Sequence, residues 1–130
     1  MRDVSAAELY FYQNKPEEAF KLLRSLKKVL PNSELIDDVL LIEANYAKNE
    51  GNYENASKLY KEVYEIYPNS ILADRALYEW GIIEEEVFKK GSSAKEGFLK
   101  LLTKYKDSVF TADARKRLRR LRGELQTDAL

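Results

Sequence analysis

Two clusters of charged side chains are the places in this chain where chemistry could occur. The first is Glu84-Glu85-Glu86, whose carboxylates could act as a general acid and base or hold a hard metal ion. Consecutive residues of an α-helix are about 100° apart around its axis, so three carboxylates in a row are not expected to converge on one atom. We interpret the run as a solvated helix face, or as a surface that pairs with the basic cluster described next or with another protein.

The second cluster is a run of basic residues near the C-terminus. Its members are Arg115, Lys116, Arg117, Arg119, Arg120 and Arg122. Such a run could bind nucleic acid phosphates or an anionic lipid surface, but no aromatic residue is interleaved to stack on bases. Cations are also stabilised near the C-terminus of a helix by its dipole. We therefore interpret the basic run as the solvent-exposed polar face of a terminal helix. The alternative is that it binds nucleic acid or an anionic surface through Arg115, Lys116, Arg119, Arg120 and Arg122.

The composition narrows the function further. The chain has 130 residues with no Cys and no His, which excludes a thiol nucleophile, an imidazole base and a Cys/His zinc site. Its five glycines do not cluster into a phosphate loop, and no apolar run approaches the ~20 residues that span a bilayer. The 22 basic and 22 acidic side chains cancel, which argues against a dedicated nucleic-acid binder. We predict a protein that is not an enzyme and uses no cofactor or metal.

A repeated frame shows which elements position these residues. Ala19, Ala56 and Ala94 are separated by 37 and then 38 residues, a period typical of stacked helical repeats. Each alanine is followed by large apolar residues 4, 7 and 11 positions later, which lie on one face of an α-helix. These residues are Leu23, Leu26 and Leu30, then Tyr60, Val63 and Tyr67, then Phe98, Leu101 and Tyr105. Pro31 and Pro68 end the first two copies.

The frame predicts three pairs of helices and one terminal helix. Their predicted ranges are 3–13, 16–30, 33–49, 53–67, 70–89, 93–105 and 109–123. Ser33 and Ser70 are the predicted N-caps of two of them. In the third copy Gly81 is the small residue of the first helix, provided that one residue has been added in the loop 89–92. In the last helix that position is Arg119, against which nothing can pack closely, so this helix caps the array.

The frame resembles the second half of the tetratricopeptide repeat (TPR), in which an alanine is followed by an aromatic or large apolar residue and then by proline. The first half of the TPR pattern is matched less well, with Ala7, Ala44 and Gly81 at its glycine position. The resemblance implies an all-α fold, a right-handed superhelical TPR-like solenoid of about three helix pairs plus a C-terminal capping helix. We expect a single domain that consists of copies 1–31, 32–68 and 69–107, the capping helix 109–123 and a frayed tail 124–130.

The first helices are longer than those of the common TPR. Ala44 lies thirteen positions after Pro31, and Gly81 lies thirteen positions after Pro68. In the common 34-residue repeat the corresponding spacing is about ten positions. A lengthened first helix resembles the TPR units of bacterial cell-envelope proteins, including outer-membrane assembly proteins, and favours a location in the periplasm or cell envelope over the cytoplasm. The absence of cysteine is compatible with both compartments. The helix around Ala7 lacks the opening turn of its counterparts. We therefore expect further repeats upstream, with this chain as the C-terminal part of a longer protein.

In TPR proteins the first helix of each pair contributes to a concave groove that holds a peptide. By repeat register, the resemblance places twelve residues in that groove. They are Glu8, Phe11 and Tyr12 in the first copy, Asp38, Leu41, Asn45, Lys48 and Asn49 in the second, and Arg75, Tyr78, Ile82 and Glu85 in the third. Chaperone-binding members of the family clamp a C-terminal carboxylate with a Lys/Asn set, which this chain does not reproduce because Glu8 stands where Asn is needed. We predict a scaffold for a different protein or peptide partner.

The aromatic residues divide into core and surface candidates. The predicted core positions are Trp80, Tyr60, Tyr64, Tyr67 and Tyr105. The candidate anchors for a partner are Tyr10, Tyr12, Tyr46 and Tyr78. A second alternative function is self-association into a homo-oligomer through the N-terminal edge, where Val4, Ala7 and Phe11 are expected to be partly uncovered.

Overall fold

The computed structural model describes residues 4–29 and 35–123, and within these two ranges the chain forms helices and no strand. The helices are α1 (Val4–Tyr12), α2 (Pro16–Val29), α3 (Leu35–Asn49), α4 (Tyr53–Ile66), α5 (Ala73–Ile82), α6 (Gly91–Lys104) and α7 (Thr111–Leu121), with a π-helical segment (Ile83–Val87) directly after α5. The predicted all-α class is confirmed. The predicted roles of Leu30, Pro31, Ser33 and the tail 124–130 lie outside the described residues, as does the side chain of Val4.

The chain divides into two compact units, Met1–Leu59 and Tyr60–Leu130, and the division falls inside α4. In the first unit α1 packs against α2 and α3, and α2 also packs against α3. In the second unit α6 packs against α5, the π-helical segment and α7. The single continuous domain predicted from the repeats stays a prediction.

Local sequence explains where α2 begins and ends. Pro16 is its first residue, where the missing backbone N–H would have had no partner within the helix. Glu17 and Glu18 lie in the first turn, and Lys27 and Lys28 lie in the last. Both pairs have the sign of charge that the helix dipole favours at that end.

A small apolar cluster holds the first unit together. Ala7, Leu23, Val39 and Ile42 are buried in it, one or two from each of the three helices. The side chains that pack on this cluster are Phe11, Phe20, Leu22 and Leu26. Ala7 is 0% exposed, so the expectation that it is partly uncovered at the N-terminal edge is wrong. Ala7 therefore no longer supports the hypothesis that the chain self-associates through that edge.

The alanine of the repeat frame and the large residue four positions later are fully buried in every copy. Ala19, Ala56 and Ala94 have no exposed surface. The same holds for the large residues four positions later, which are Leu23, Tyr60 and Phe98. Small and large side chains that alternate on packed helices fill the space between them without voids. The frame found in the sequence is thus the packing frame of the structure.

The remaining aromatic residues of the frame are less deeply buried than predicted. Tyr64 is buried, whereas Trp80, Tyr67 and Tyr105 are half-buried. The Tyr105 phenol donates a hydrogen bond of 2.8 Å to the Pro68 carbonyl, which keeps this ring near the surface. The hydroxyl thus provides a partner for a backbone oxygen at the end of the preceding copy.

A residue with positive φ marks the turn after each first helix. The three residues are Asn14 (63°), Gly51 (81°) and Lys89 (57°). Glycine reaches this left-handed region without a steric penalty, and Asn does so more readily than most residues. Lys89 is therefore the strained member of the set.

The extra residue of the third copy lies in the π-helical segment. The positive-φ residue follows the small residue of the first helix by seven positions in the first two copies, but follows Gly81 by eight. In all three copies it precedes the alanine of the second helix by five positions. The loop 89–92 therefore has no insertion, and the prediction that placed one there is wrong. The additional residue is accommodated where the Phe88 N–H donates to the Ile83 carbonyl, five residues earlier.

Two glycines allow α5 and α6 to approach closely. A Cβ atom on Gly81 would lie 2.8 Å from Phe98 Cε1, and one on Gly97 would lie 2.9 Å from Trp80 Cζ3. Both distances are well below the ~3.5–4.0 Å at which carbon atoms pack. Gly81 is thus the small residue of its helix, as the repeat register predicts.

The helices α5 and α7 begin later than predicted, three residues after Ser70 and Ser108 respectively. Ser70 Oγ accepts a hydrogen bond from the Leu72 N–H, and Ser108 Oγ accepts one from the Phe110 N–H, each at 3.0 Å. These bonds close a turn ahead of each helix. Ser70 therefore shapes the approach to α5 and is not its N-cap.

The last described helix, α7, docks by its apolar side. Ala114 and Leu118 are buried, and Leu121 reaches the start of α6, where its Cδ2 would lie 3.8 Å from a Cβ on Gly91. Arg119 is exposed, as expected for a position against which no other described element packs closely.

We predict that Gly81→Ala lowers the free energy of unfolding by about 1–3 kcal/mol, because the added methyl group overlaps the ring of the fully buried Phe98. Gly91→Ala is the matched control. Its Cβ meets only Leu121 at an ordinary distance, so this variant should be neutral or slightly more stable. Urea denaturation followed by circular dichroism measures both, and equal stability of the two variants would contradict the close approach.

We also predict that Lys89→Gly raises the free energy of unfolding by about 0.5–1 kcal/mol, since glycine removes the strain of a left-handed residue with a side chain. Lys90 has a φ of −100°, so Lys90→Gly relieves no strain. It adds flexibility to the unfolded chain and removes the ammonium group that lies 5.6 Å from the centroid of the Phe88 ring, so it should lower stability. The same denaturation experiment compares the two. A loss of stability in Lys89→Gly would rule out the strained turn.

Candidate functional site

Five of the predicted groove residues line one cleft in the first unit. α1 supplies Glu8, Phe11 and Tyr12, and α3 supplies Asn45 and Asn49. The cleft has a volume of about 380 Å³. Four residues outside the predicted twelve complete its lining, namely Asn14, Ile42, Tyr46 and Glu50. We call this site the α1–α3 cleft.

Aromatic rings form the rigid wall of the α1–α3 cleft. Phe11 stacks on Tyr46 with ring centroids 4.5 Å apart, and Phe20 meets both rings edge-on at 5.2 Å. Phe11 and Phe20 also pack on the buried core of the unit, so the fold holds the rings in place. A wall that is ordered in advance loses little conformational entropy when a partner binds.

The rim of the α1–α3 cleft is polar and accessible. Tyr12 is 88% exposed, and Asn14 and Asn49 are exposed as well. An Asn side chain has both a hydrogen-bond donor and an acceptor, so it can pair with the N–H and the C=O of an extended peptide. The cleft thus combines an apolar wall for a side chain with a rim that suits a peptide backbone.

A second cleft borders the first and was not found from the sequence. It has a volume of about 350 Å³ and is lined by Phe20, Glu43, Tyr46, Ala47, Glu50, Asn52, Asn55 and Leu59. Tyr46 and Glu50 line both clefts. Glu43 and Tyr46 on α3 and Glu50 directly after it recur at helical spacing, and this pattern was the signal that could have indicated the second cleft.

The other predicted groove residues of the first unit lie outside the α1–α3 cleft. Leu41 is 7% exposed, so its side chain offers a partner little surface. Asp38 and Lys48 are half-buried. Burial raises the pKa of the Asp38 carboxyl, and the negative charges of Asp37 and Glu8 raise it further.

Three of the four predicted groove residues of the third copy, Arg75, Tyr78 and Glu85, contact α7 or the segment before it. Tyr78 stacks on Phe110 with centroids 4.5 Å apart, and its phenol donates a hydrogen bond to Asp113. The Arg75 guanidinium lies 5.8 Å from the centroid of the Phe110 ring. Ile82 is half-buried. Tyr78 and Arg75 therefore stabilise the docking of α7, a role that sequence reasoning did not assign to them.

Arg117 connects α7 to the acidic run. Its Nη1 donates to Glu85 at 3.0 Å and to Glu86 at 2.7 Å, and its Nε donates to Asp113 at 2.7 Å. The three consecutive carboxylates do not all converge, as expected, but Glu85 and Glu86, which lie in the π-helical segment, both reach the guanidinium of Arg117. Glu84 is 6% exposed and does not belong to this surface. Pairing with the basic run is the interpretation that the contacts support.

The basic run itself is partly neutralised. Arg117 at its centre is paired with three carboxylates, and Arg120 Nε lies 3.9 Å from Glu85. The exposed members are Arg115, Lys116, Arg119, Arg120 and Arg122. Phosphate binding by this surface stays a prediction.

Among the described residues, no three acidic side chains are grouped so that they could hold a metal ion. None of the described helices is long and apolar enough to cross a membrane.

Helix pairs that recur every 37 or 38 residues define a helical-repeat protein. The family model of the tetratricopeptide repeat matches residues 5–33 and 38–70, which include most of the first two predicted helix pairs. The chain thus contains two tetratricopeptide repeats, at residues 5–33 and 38–70. Such repeats generally mediate protein–protein interactions. Comparison with curated proteins gives no match at a significant level.

The Tyr78–Asp113 contact predicts a dependence of stability on pH. Burial and the hydrogen bond to Asp113 raise the pKa of Tyr78 from its usual 10.0 to about 12. A raised pKa in the folded state means that the stabilisation is complete below pH 10.0 and is lost as pH rises through about 12. We expect wild type to exceed Tyr78→Phe by about 1 kcal/mol in free energy of unfolding at neutral pH, and this difference to vanish in that alkaline window.

Tyr78→Phe keeps the ring that stacks on Phe110, so only the hydroxyl is tested. The contributions of all other residues to the pH dependence are the same in both proteins, so they cancel in the difference between the two free energies of unfolding. Urea denaturation of both proteins at several pH values measures it. A difference that is constant from neutral pH to pH 12 would contradict the role of this hydroxyl.

Proposed function

We propose that this chain is a non-catalytic scaffold and that the α1–α3 cleft binds an extended segment of a partner protein. The observation that supports this most directly is the convergence of Glu8, Phe11 and Tyr12 on one helix with Asn45 and Asn49 on another. These residues were selected by repeat register alone, and they meet around a concave surface. The two tetratricopeptide repeats support a protein as the partner.

The dimensions of the cleft agree with this role. A volume of about 380 Å³ accommodates one or two side chains of a bound peptide and falls in the range of ligand clefts in proteins. The stacked rings of Phe11 and Tyr46 offer an apolar surface, and Tyr12 adds an exposed aromatic side chain with few torsions to order. Aromatic residues in such positions carry a large share of binding energy at protein interfaces.

The proposed binding surface is smaller than the twelve positions implied by the register. Tyr78 and Arg75 contact Phe110, and Glu85 is paired with Arg117. A partner that used these side chains would first have to break contacts within the second unit. We therefore restrict the proposal to the first unit.

Nucleic-acid binding through α7 has less support. Salt dependence of such binding scales with the number of cations that meet phosphates, and Arg117 is already engaged by Glu85, Glu86 and Asp113. We keep the protein partner as the only proposed function.

A location in the bacterial cell envelope is a further part of the proposal, and its support is the spacing of thirteen positions from the proline to the small residue of the next copy. The expectation that the added residues lengthen the helix at its start is wrong for α5, which begins at Ala73, because residues 70–72 form a turn ahead of it. A signal peptide or a lipid-attachment cysteine at the start of the full-length protein would support this location, and a full-length protein without either would count against it.

A selection from an unbiased library of displayed peptides tests the binding function. Peptides that bind the chain should lose about tenfold in affinity to Tyr12→Ala, as measured by fluorescence anisotropy, because an exposed aromatic anchor is removed. Leu9→Ala is the matched control, since Leu9 is 53% exposed on the same helix and does not line the α1–α3 cleft. It should change affinity by less than about twofold.

Both substitutions truncate exposed side chains, so neither should alter the unfolding transition. Selected peptides that bind Tyr12→Ala as tightly as wild type would rule out the α1–α3 cleft as the binding site. Failure to select any peptide would also count against the proposal.

A further inference from the structure

The α1–α3 cleft carries two carboxylates and no cation in its lining. Glu8 lies on α1, and Glu50 directly follows α3. The other lining residues are neutral, namely Phe11, Tyr12, Asn14, Ile42, Asn45, Tyr46 and Asn49. Within residues 4–29 and 35–123, neither of the two carboxylates has an ion-pair partner.

This absence of pairing contrasts with other carboxylates of the chain. Glu43 on α3 pairs with Lys27 at 2.9 Å. In the second unit Glu85 and Glu86 pair with Arg117. The chain has 22 acidic and 22 basic side chains, so it does not lack cations to neutralise a surface. The negative charge at the α1–α3 cleft is thus a local property of this site.

The negative charge extends along the adjoining part of α3. The pKa of Asp38 is raised mainly by burial, and the negative charges of Asp37 and Glu8 raise it further. Asp38 does not line the cleft, but its carboxyl is near enough to Glu8 to respond to that charge. A cation that approaches this face would be attracted by more than the two carboxylates it meets.

The aromatic wall gives the second criterion for the partner. A guanidinium group is planar and stacks on aromatic faces, and it donates to carboxylates in a fixed fork. Phe11, Tyr46 and Tyr12 provide aromatic surface in the same cleft as Glu8 and Glu50. A compact ammonium group uses the carboxylates but gains less from the rings.

We infer that the α1–α3 cleft selects a partner segment that contains arginine, with the guanidinium placed between the carboxylates and the aromatic wall. This inference rests on the proposed function and names the chemical class of the partner. It also predicts that a C-terminal carboxylate is a poor ligand for this cleft, because Glu8 and Glu50 would repel it.

The displayed-peptide library also tests this inference. Peptides that require Tyr12 should be enriched in arginine relative to the starting library. In a selected peptide, replacing the arginine by citrulline, which is planar but neutral, should weaken binding about tenfold, and lysine should weaken it less. Affinity should also fall as the salt concentration rises from about 0.05 to 0.5 M.

The protein variant for this test is the double substitution Glu8→Gln with Glu50→Gln. It keeps the size of both side chains, and both residues are exposed, so the fold should be unchanged. We expect about a tenfold loss of affinity for the arginine peptide and a weaker dependence on salt. The matched control is Glu17→Gln with Glu54→Gln, which removes two exposed charges of the same unit outside the cleft and should retain the affinity of wild type.

The outcomes separate the inference from the proposed function. Peptides that depend on Tyr12 but show no enrichment in arginine, and bind the Glu8→Gln, Glu50→Gln variant as tightly as wild type, overturn the inference and leave the binding function intact. Equal losses in the cleft variant and in the control variant would overturn it too, because net charge alone would then explain the effect. Absence of any peptide that depends on Tyr12 overturns both.

Discussion

Close approach of helices at positions without bulky side chains is the constraint on which the helix packing depends. Ala19, Ala56 and Ala94 have no exposed surface, and between α5 and α6 even a methyl group on Gly81 would overlap Phe98. Because protein interiors are close-packed, such contacts tolerate almost no change in volume. The register of each pair is therefore set by a few small residues. On α1 and α3 this packing leaves Glu8, Tyr12 and Asn49 exposed, and they line the α1–α3 cleft beside the buried Ile42.

One extra residue in the third copy changes what its first helix can do. The π-helical segment accommodates this residue without moving the turn that follows, so the second helix keeps its place in the frame. It also carries Glu85 and Glu86, which both contact Arg117 on α7. These two carboxylates of the second unit are consequently occupied by a contact within the chain. In the first unit Glu8 and Glu50 have no such partner among the described residues, and the cleft they line is where we propose that another protein binds.

Much of the fold could be predicted because its signals are local and repeated. The spacing of Ala19, Ala56 and Ala94 indicated the helix pairs, and burial at these positions follows from the helical period alone. Five of the twelve predicted groove residues line the α1–α3 cleft because the repeat register decides which face of a first helix each residue occupies. Leu41 and Tyr78 show the limit of that argument. A position on the correct face can still be covered, and only neighbouring elements decide whether it is.

The sequence by itself determined the all-α class, the repeat frame, its small and large packing positions and the absence of Cys and His chemistry, because each depends on residue identity or on spacing along one helix. The tertiary structure decided the site of the extra residue, the partners of Arg117 and the joining of Phe11, Tyr46 and Glu50 in one cleft. These features depend on distances between residues that are far apart in the chain. Such distances are set by how helices pack, which the pattern within any one helix does not specify.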